Sequence, residues 1–251
     1  MRVISILSTK GGVGKTFIVS NLAYKLSTFG YKVVAIDANF TTPHLASYLG
    51  YDLAKNTLHK LLKNQVELKD VLYPHYLGFR IIPGSLNLQD LTDLNVENLN
   101  EIIKKLDADF VLLDCAPGLG KEAMIGLKSG EEVLIVTIPE LPTIIDALKT
   151  LKLARSLDKK ILGIVLNRIK KDSFEVEKNK IMEILNSQVL AEIPEDKNVL
   201  RSINLKIPLT YLNSNSPAAY EIEKLAYRII GQPWIERKIS LVDRIINWLS
   251  R

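Results

Sequence analysis

The feature that most constrains this 251-residue chain is its first sixteen residues, MRVISILSTKGGVGKT. A short apolar run at 3–7 leads straight into a glycine-rich loop at 8–14, and from Lys15 the pattern turns helical. In that order, the amides of the loop and of the first helical turn converge on one spot, a ready anion site. Gly11, Gly12 and Gly14 are expected to give the loop positive φ angles and a close backbone approach to a phosphate chain. The pattern G-x-x-x-x-G-K-[ST] is met at Gly14, Lys15 and Thr16 but not at its first glycine, where Thr9 stands. Lys15 suits the β- and γ-phosphates of a nucleotide, and the Thr16 hydroxyl suits Mg2+. The same residues also describe a plain glycine turn that binds nothing. Three glycines together with GKT, between strand and helix, favour the phosphate loop.

Apolar runs at 3–7, 32–37, 80–83, 110–114, 132–139, 161–167, 189–193 and 209–212 predict strands. Amphipathic patterns at 17–28, 144–156, 176–186 and 218–230 predict helices between them. That alternation predicts an α/β fold of the P-loop NTPase type, a mostly parallel central sheet with helices on both faces. No repeat or long polar linker precedes Gly231, so one domain is expected at 1–230 and a tail at 231–251, beyond the stop signal Gly-Gln-Pro. With 47% hydrophobic and 24% charged residues, the chain has the makings of a core and not of a disordered segment.

Other classes fall away by composition. The single cysteine, Cys115, excludes an internal disulfide framework and a cysteine-held zinc, which suits a reducing, cytoplasmic interior. The N-terminus lacks the basic and long apolar regions of a signal peptide, and no run approaches the ~20 apolar residues of a membrane span. A net charge of +5 admits a nucleotide, a membrane surface or a nucleic acid without choosing among them. Residues 50–100 carry no readable motif. His44, His59 and His75 are scattered without ligand spacing, and no chemistry is assigned to them.

Two apolar strands end in aspartate, at Asp37 (KVVAID) and Asp114 (FVLLD). Carboxylates at the carboxyl ends of strands beside a phosphate loop suit Mg2+ through water. Each is otherwise an aspartate opening a turn. A later strand ends in Asn167-Arg168. An asparagine amide both donates and accepts, as an adenine edge requires, though turn asparagines are common.

KGGVGKT resembles the deviant Walker A motif of the MinD/ParA family of P-loop ATPases, with Lys10 as its signature lysine. The resemblance covers roughly residues 1–230 and implies ATP and Mg2+ as cofactors. It sets Lys10, Gly11, Gly12, Val13, Gly14, Lys15, Thr16 and Phe17 around the phosphates, with Lys10 and Lys15 catalytic. In a homodimer closed on ATP, Lys10 would reach the partner's phosphates as an arginine finger does in trans. Without the resemblance, Lys10 reads as a solvated loop lysine.

Asp114 with the following CAPGLG resembles Walker B and switch II, and DANFTTPHL at 37–45 resembles switch I, which implies Thr16, Asp37 and Asp114 as the metal set. The family usually has a second aspartate where Asn39 stands, and it helps to position the attacking water. An amide can hold that water but cannot take its proton, so slow hydrolysis is expected. LGIVLNR resembles the base-recognition site, implying Asn167 and Arg168. The run IPEDKNVLRSINLKIPL at 193–209 resembles the segment that packs on the base in the MinD branch, adding Pro194 and Asp196.

The tail reads WIERKISLVDRIINWLSR at 234–251 and carries both tryptophans, Trp234 and Trp248. At ~100° per residue its apolar residues fall on about half of a helix, with a net basic opposite face. Such a C-terminal amphipathic helix suits an anionic membrane surface, although most amphipathic helices pack on their own domain. The family resemblance favours the membrane, and with it a peripheral location on the cytoplasmic membrane and an unidentified protein that activates the ATPase or is positioned by it. One rival is a ParA-like partition ATPase holding DNA non-specifically, which a pI of 9.1 permits and the apolar tail disfavours. A metal-cluster assembly ATPase is disfavoured by the lone Cys115. A nucleotide-bound scaffold that scarcely hydrolyses stays open through Asn39.

Overall fold

The computed structural model describes residues 1–92 and 94–234. Its strands are β1 (Arg2–Leu7), β2 (Val33–Ala38), β3 (Tyr73–Pro74), β4 (Arg80–Ile82), β5 (Phe110–Cys115), β6 (Glu132–Thr137), β7 (Lys160–Ile169) and β8 (Val189–Pro194). The first helices are α1 (Lys15–Thr28), α2 (Leu45–Leu49), α3 (Leu58–Leu62), α4 (Leu68–Val71) and α5 (Leu99–Lys104). They are followed by α6 (Lys121–Ser129), α7 (Leu141–Ser156), α8 (Lys178–Leu185), α9 (Lys197–Asn204), α10 (Leu209–Leu212) and α11 (Pro217–Ile229).

The strands form one sheet in the order β3-β4-β2-β5-β1-β6-β7-β8, parallel except for the β3–β4 pair. β2, β5 and β6 are buried along their whole length, as strands covered on both faces must be. Alternate residues of β1 feed two cores. Ile4 and Ile6 pack with Ile18, Leu22, Ile222 and Leu225 of α1 and α11. Val3 and Leu7 face Leu127, Ile144 and Leu151 of α6 and α7. This is the α/β sheet with helices on both faces that the sequence pattern predicts.

Strand order sets where a ligand can go. β1 pairs with β5 on one side and β6 on the other, while the chain itself runs from β1 to β2. The order therefore reverses at β1, and the crevice beyond its carboxyl end is the switch point where doubly wound sheets bind ligands. The loop 8–14 leaves β1 into that crevice. Asp37 and Asp114 are register partners on β2 and β5, so both end at the same level.

One expected strand is a helix. The run 209–212 forms α10, and its Thr210 N–H and hydroxyl both donate to Asn21 Oδ1 on α1, at 2.9 and 3.0 Å. Trp234, the first residue of the expected tail helix, is not helical. It packs edge-on against Tyr220 of α11 with centroids 4.8 Å apart, and Lys224 Nζ lies over both rings. The rest of that expected helix, 235–251, lies outside the described residues. Among the described residues no helix is long and apolar enough to cross a membrane.

Candidate functional site

The loop after β1 behaves as its glycines require at two positions of the three. Gly12 and Gly14 have φ of 77° and 102°, whereas Gly11 lies outside the left-handed region. A Cβ on Gly14 would sit 2.2 Å from Asn167 Nδ2, so only glycine fits there. Gly14 is also the N-cap of α1, and no side chain caps that helix. Its first-turn amides thus remain for a ligand.

Lys15 Nζ is buried at the floor of the loop and donates to Ser8 Oγ at 2.8 Å, while that hydroxyl donates to the Lys10 carbonyl. Burial pulls its pKa below the ordinary lysine value, against the opposing pull of Asp114 and Cys115. It forms no ion pair among the described residues. Thr16 Oγ1 donates to Asp114 Oδ2 at 2.6 Å, and Asp114 Oδ1 is buried without a hydrogen-bond partner. Burial raises the Asp114 carboxyl to about 6. A buried carboxylate oxygen with no donor, next to a hydroxyl and below a ring of amides, fits a Mg2+–phosphate group. Magnesium needs only one or two protein ligands when phosphates and waters supply the rest. Gly11, Gly12, Gly14, Lys15, Thr16, Asn39 and Asp114 line one cavity of about 270 Å3 here.

Asp37 behaves differently from its sheet neighbour. It is fully buried, and its carboxylate accepts the backbone N–H of Asn39 (3.2 Å) and of Leu45 (2.8 Å). Burial and then Asp114 push its pKa well above the carboxylate range. It does not line the phosphate cavity. In this structure its carboxylate folds the loop 39–45 around itself.

Asn39 does line the cavity, but its amide is tied to Thr42. Its Nδ2 donates to the Thr42 carbonyl and to Thr42 Oγ1, and that hydroxyl donates to Asn39 Oδ1. A neighbouring cavity of about 360 Å3 shares Asn39, Thr42 and Pro117 with the first and adds Lys121 and Glu122 from the start of α6. The Thr41 N–H donates to Glu122 Oε2 at 3.2 Å and its hydroxyl to Oε1, joining the two loops.

On the other side of the loop lies a cavity of about 530 Å3, where Phe17, Val199, Leu200 and Ile203 meet Asn167, Arg168, Pro194, Glu195, Asp196 and Lys197. Asn167 is buried and its Nδ2 donates to the Val13 carbonyl at 2.7 Å, locking the end of β7 to the loop and leaving Oδ1 and one N–H. Val13 and Phe17 are core residues, and Phe17 also forms one wall. Arg168, at φ 57°, pairs with Glu195 at 3.1 Å. Asp196 caps α9 by accepting the Asn198 N–H at 2.8 Å. Its carboxylate is engaged within the protein, so it borders the cavity as a structural cap. Lys10 stands apart, half exposed, with Nζ 3.3 Å from Glu140 Oε2.

Several residues escaped the sequence reading. His44, the N-cap of α2, and Tyr48 within it face the phosphate cavity, and Tyr48 also lines the large one beside it. Burial and Asp114 raise the Tyr48 pKa. Their spacing after the acidic loop was the available signal. His59 and His75 pack into the fold away from the phosphate cavity. Buried His59 bonds the Phe40 carbonyl through Nε2 at 2.9 Å and accepts the Ser85 N–H at Nδ1. His75 stacks on Phe79, and burial lowers its pKa to about 4. Among the described residues no three His, Cys, Asp or Glu side chains converge on a metal position.

Comparison with known proteins agrees with this geometry. The family described as CobQ/CobB/MinD/ParA nucleotide binding domain matches residues 4–209. An uncharacterised ATP-binding protein of Methanocaldococcus jannaschii is 33% identical over 252 residues, covering 97% of this chain and 96% of its own. The septum site-determining protein MinD of Thermotoga maritima is 30% identical over 267 residues, covering 99% and 97%. The solved structure of MinD from Pyrococcus horikoshii, complexed with Mg-ADP, superposes with a TM-score of 0.87 at 33% identity, covering 91% of this chain and 95% of that one.

Proposed function

The chain belongs to the CobQ/CobB/MinD/ParA nucleotide-binding family, and from that premise we propose that it is a MinD-like ATPase. It binds ATP with Mg2+, hydrolyses it slowly, dimerises over the bound nucleotide, and uses 234–251 to hold an anionic membrane surface reversibly. In the cell it is then a cytoplasmic protein, peripheral at the membrane, positioning a partner protein there. The observation that carries the reading is the unpaired charge at the loop floor. Lys15 is buried with only a hydroxyl for company, beside the donorless Asp114 Oδ1. A buried cation without an ion pair and a buried carboxylate oxygen without a donor are costly unless a ligand completes both. A nucleotide–Mg2+ complex supplies the missing anion to one and the missing cation to the other.

Within this reading Lys15 and the loop amides hold the phosphate chain, while Thr16 and Asp114 hold the metal, which neutralises charge on the phosphoryl group in transfer. Asp37 shapes the loop that carries Asn39. Asn167, Arg168 and Pro194 border the base, with Asn167 fixed in orientation by Val13. Lys10 serves the partner subunit. Its exposed pair with Glu140 is worth only about 0–1 kcal/mol, too little to hold it against a partner's triphosphate.

Titration calorimetry and size exclusion with ATP and with ADP, each with and without Mg2+, test the proposal. Expected is Mg2+-dependent binding of both, and a dimer with ATP alone. Lys15→Ala should abolish binding, and Lys10→Ala should keep binding but lose the dimer. A wild-type chain that binds neither nucleotide would overturn the reading.

A further inference from the structure

Resting on the ATPase reading, we propose that Glu122 is the proton acceptor for the attacking water. The phosphate cavity and the cavity bordered by Lys121 and Glu122 have Asn39, Thr42 and Pro117 as common walls. Water entering on that side meets Asn39, an amide that cannot accept a proton and whose hydrogen bonds go to Thr42. Of the carboxylates nearby, Asp114 faces the metal position and Asp37 is sealed behind the loop by two backbone N–H groups. Glu122 is the carboxylate lining the second cavity. It comes from α6 and is held against the loop 39–45 by both polar hydrogens of Thr41.

In the step this implies, the water oxygen bonds to the terminal phosphorus as its proton passes to a Glu122 oxygen. The bond from that phosphorus to the bridging oxygen breaks, and its electron pair leaves on ADP. Glu122 then returns the proton to solvent. Each oxygen of Glu122 accepts one hydrogen bond from Thr41 in this structure and keeps a further lone pair for the water proton.

Glu122→Gln separates chemistry from loop positioning, because the amide can still bond Thr41 but takes no proton. Expected is a fall in turnover on the order of 100-fold with ATP affinity by calorimetry unchanged. The nucleotide recovered from the protein should stay ATP, and the ATP dimer should accumulate on size exclusion. Adding Asn39→Asp to Glu122→Gln should restore much of the turnover, since it brings a carboxylate to the same opening. Wild-type chain that hydrolyses ATP alongside an equally fast Glu122→Gln would overturn this inference and leave the ATPase reading standing. So would a Glu122→Gln chain whose ATP affinity falls as far as its turnover, or one that Asn39→Asp fails to rescue. A wild type that does not bind ATP would defeat the ATPase reading itself.

Discussion

Asp114 carries a penalty for being buried with a charge. Its carboxyl titrates at about 6 because burial disfavours the charge, against an ordinary 3.8 in the unfolded chain. Between those values the native state binds more protons than the unfolded one, so stability falls as pH rises from about 4 through 6 and stays lower above. Ligand-free protein should therefore be less stable at pH 7.5 than at pH 4.5 by about 1–3 kcal/mol from this source. Asp114→Asn should flatten that slope in urea denaturation and abolish the Mg2+ dependence of nucleotide binding. A variant keeping the wild-type slope would remove Asp114 as the cause. The two aspartates were alike in the sequence, each ending an apolar strand, and they even share a sheet register. What separates them is the path of the chain after Asp37, which turns back so that Leu45 can donate to it. Glu122 was unreadable for the same reason. Its partner, Thr41, is 81 positions away, and no local pattern marks that meeting.

At the scale of elements, α10 shows where pattern reading reaches its limit. Leu-Thr-Tyr-Leu has strand composition, and four residues are too few to tell a period of 2 from one of 3.6. Its conformation is decided by α1, where buried Asn21 accepts twice from Thr210 and donates to the Phe17 carbonyl. Asn21→Ala should leave the buried Thr210 N–H and hydroxyl unpaired and cost about 2–3 kcal/mol in denaturant unfolding, with nucleotide affinity little changed. A loss under about 0.5 kcal/mol, the usual size for a surface change, would mean that α10 does not depend on α1. The long elements were legible because a buried parallel strand and an amphipathic helix of three turns each announce themselves. The short helices α2 to α5 were not, since helices of 4 to 6 residues have little stability of their own and are held by packing.

Over the whole molecule, the alternation of strands and helices implies a parallel sheet, but strand order is a property of the fold that no segment encodes. That order brings the phosphate loop, both acidic loops and the Asn167 strand end to one edge. It also lays α11, from which the tail departs, on α1, which begins at the phosphates. The two helices are joined by a buried ion pair, Lys25 with Glu223 at 2.9 Å. Under the proposed function, the layer formed by α1 and α11 thus links the nucleotide loop to the start of the tail. A single short helix binds a surface weakly, and a dimer doubles it without any new contact. Co-sedimentation with anionic vesicles should accordingly require ATP and be lost when the chain is cut after Gln232. Neutral vesicles should bind less, as added salt should weaken binding through the basic face. Trp234→Ala in the full chain should reduce sedimentation far less than truncation, because its ring is already packed between Tyr220 and Lys224. Equal sedimentation by the truncated chain would refute the membrane role of the tail. If DNA, and not vesicles, retained the ATP-bound protein in a salt-sensitive way, the partition reading would replace it.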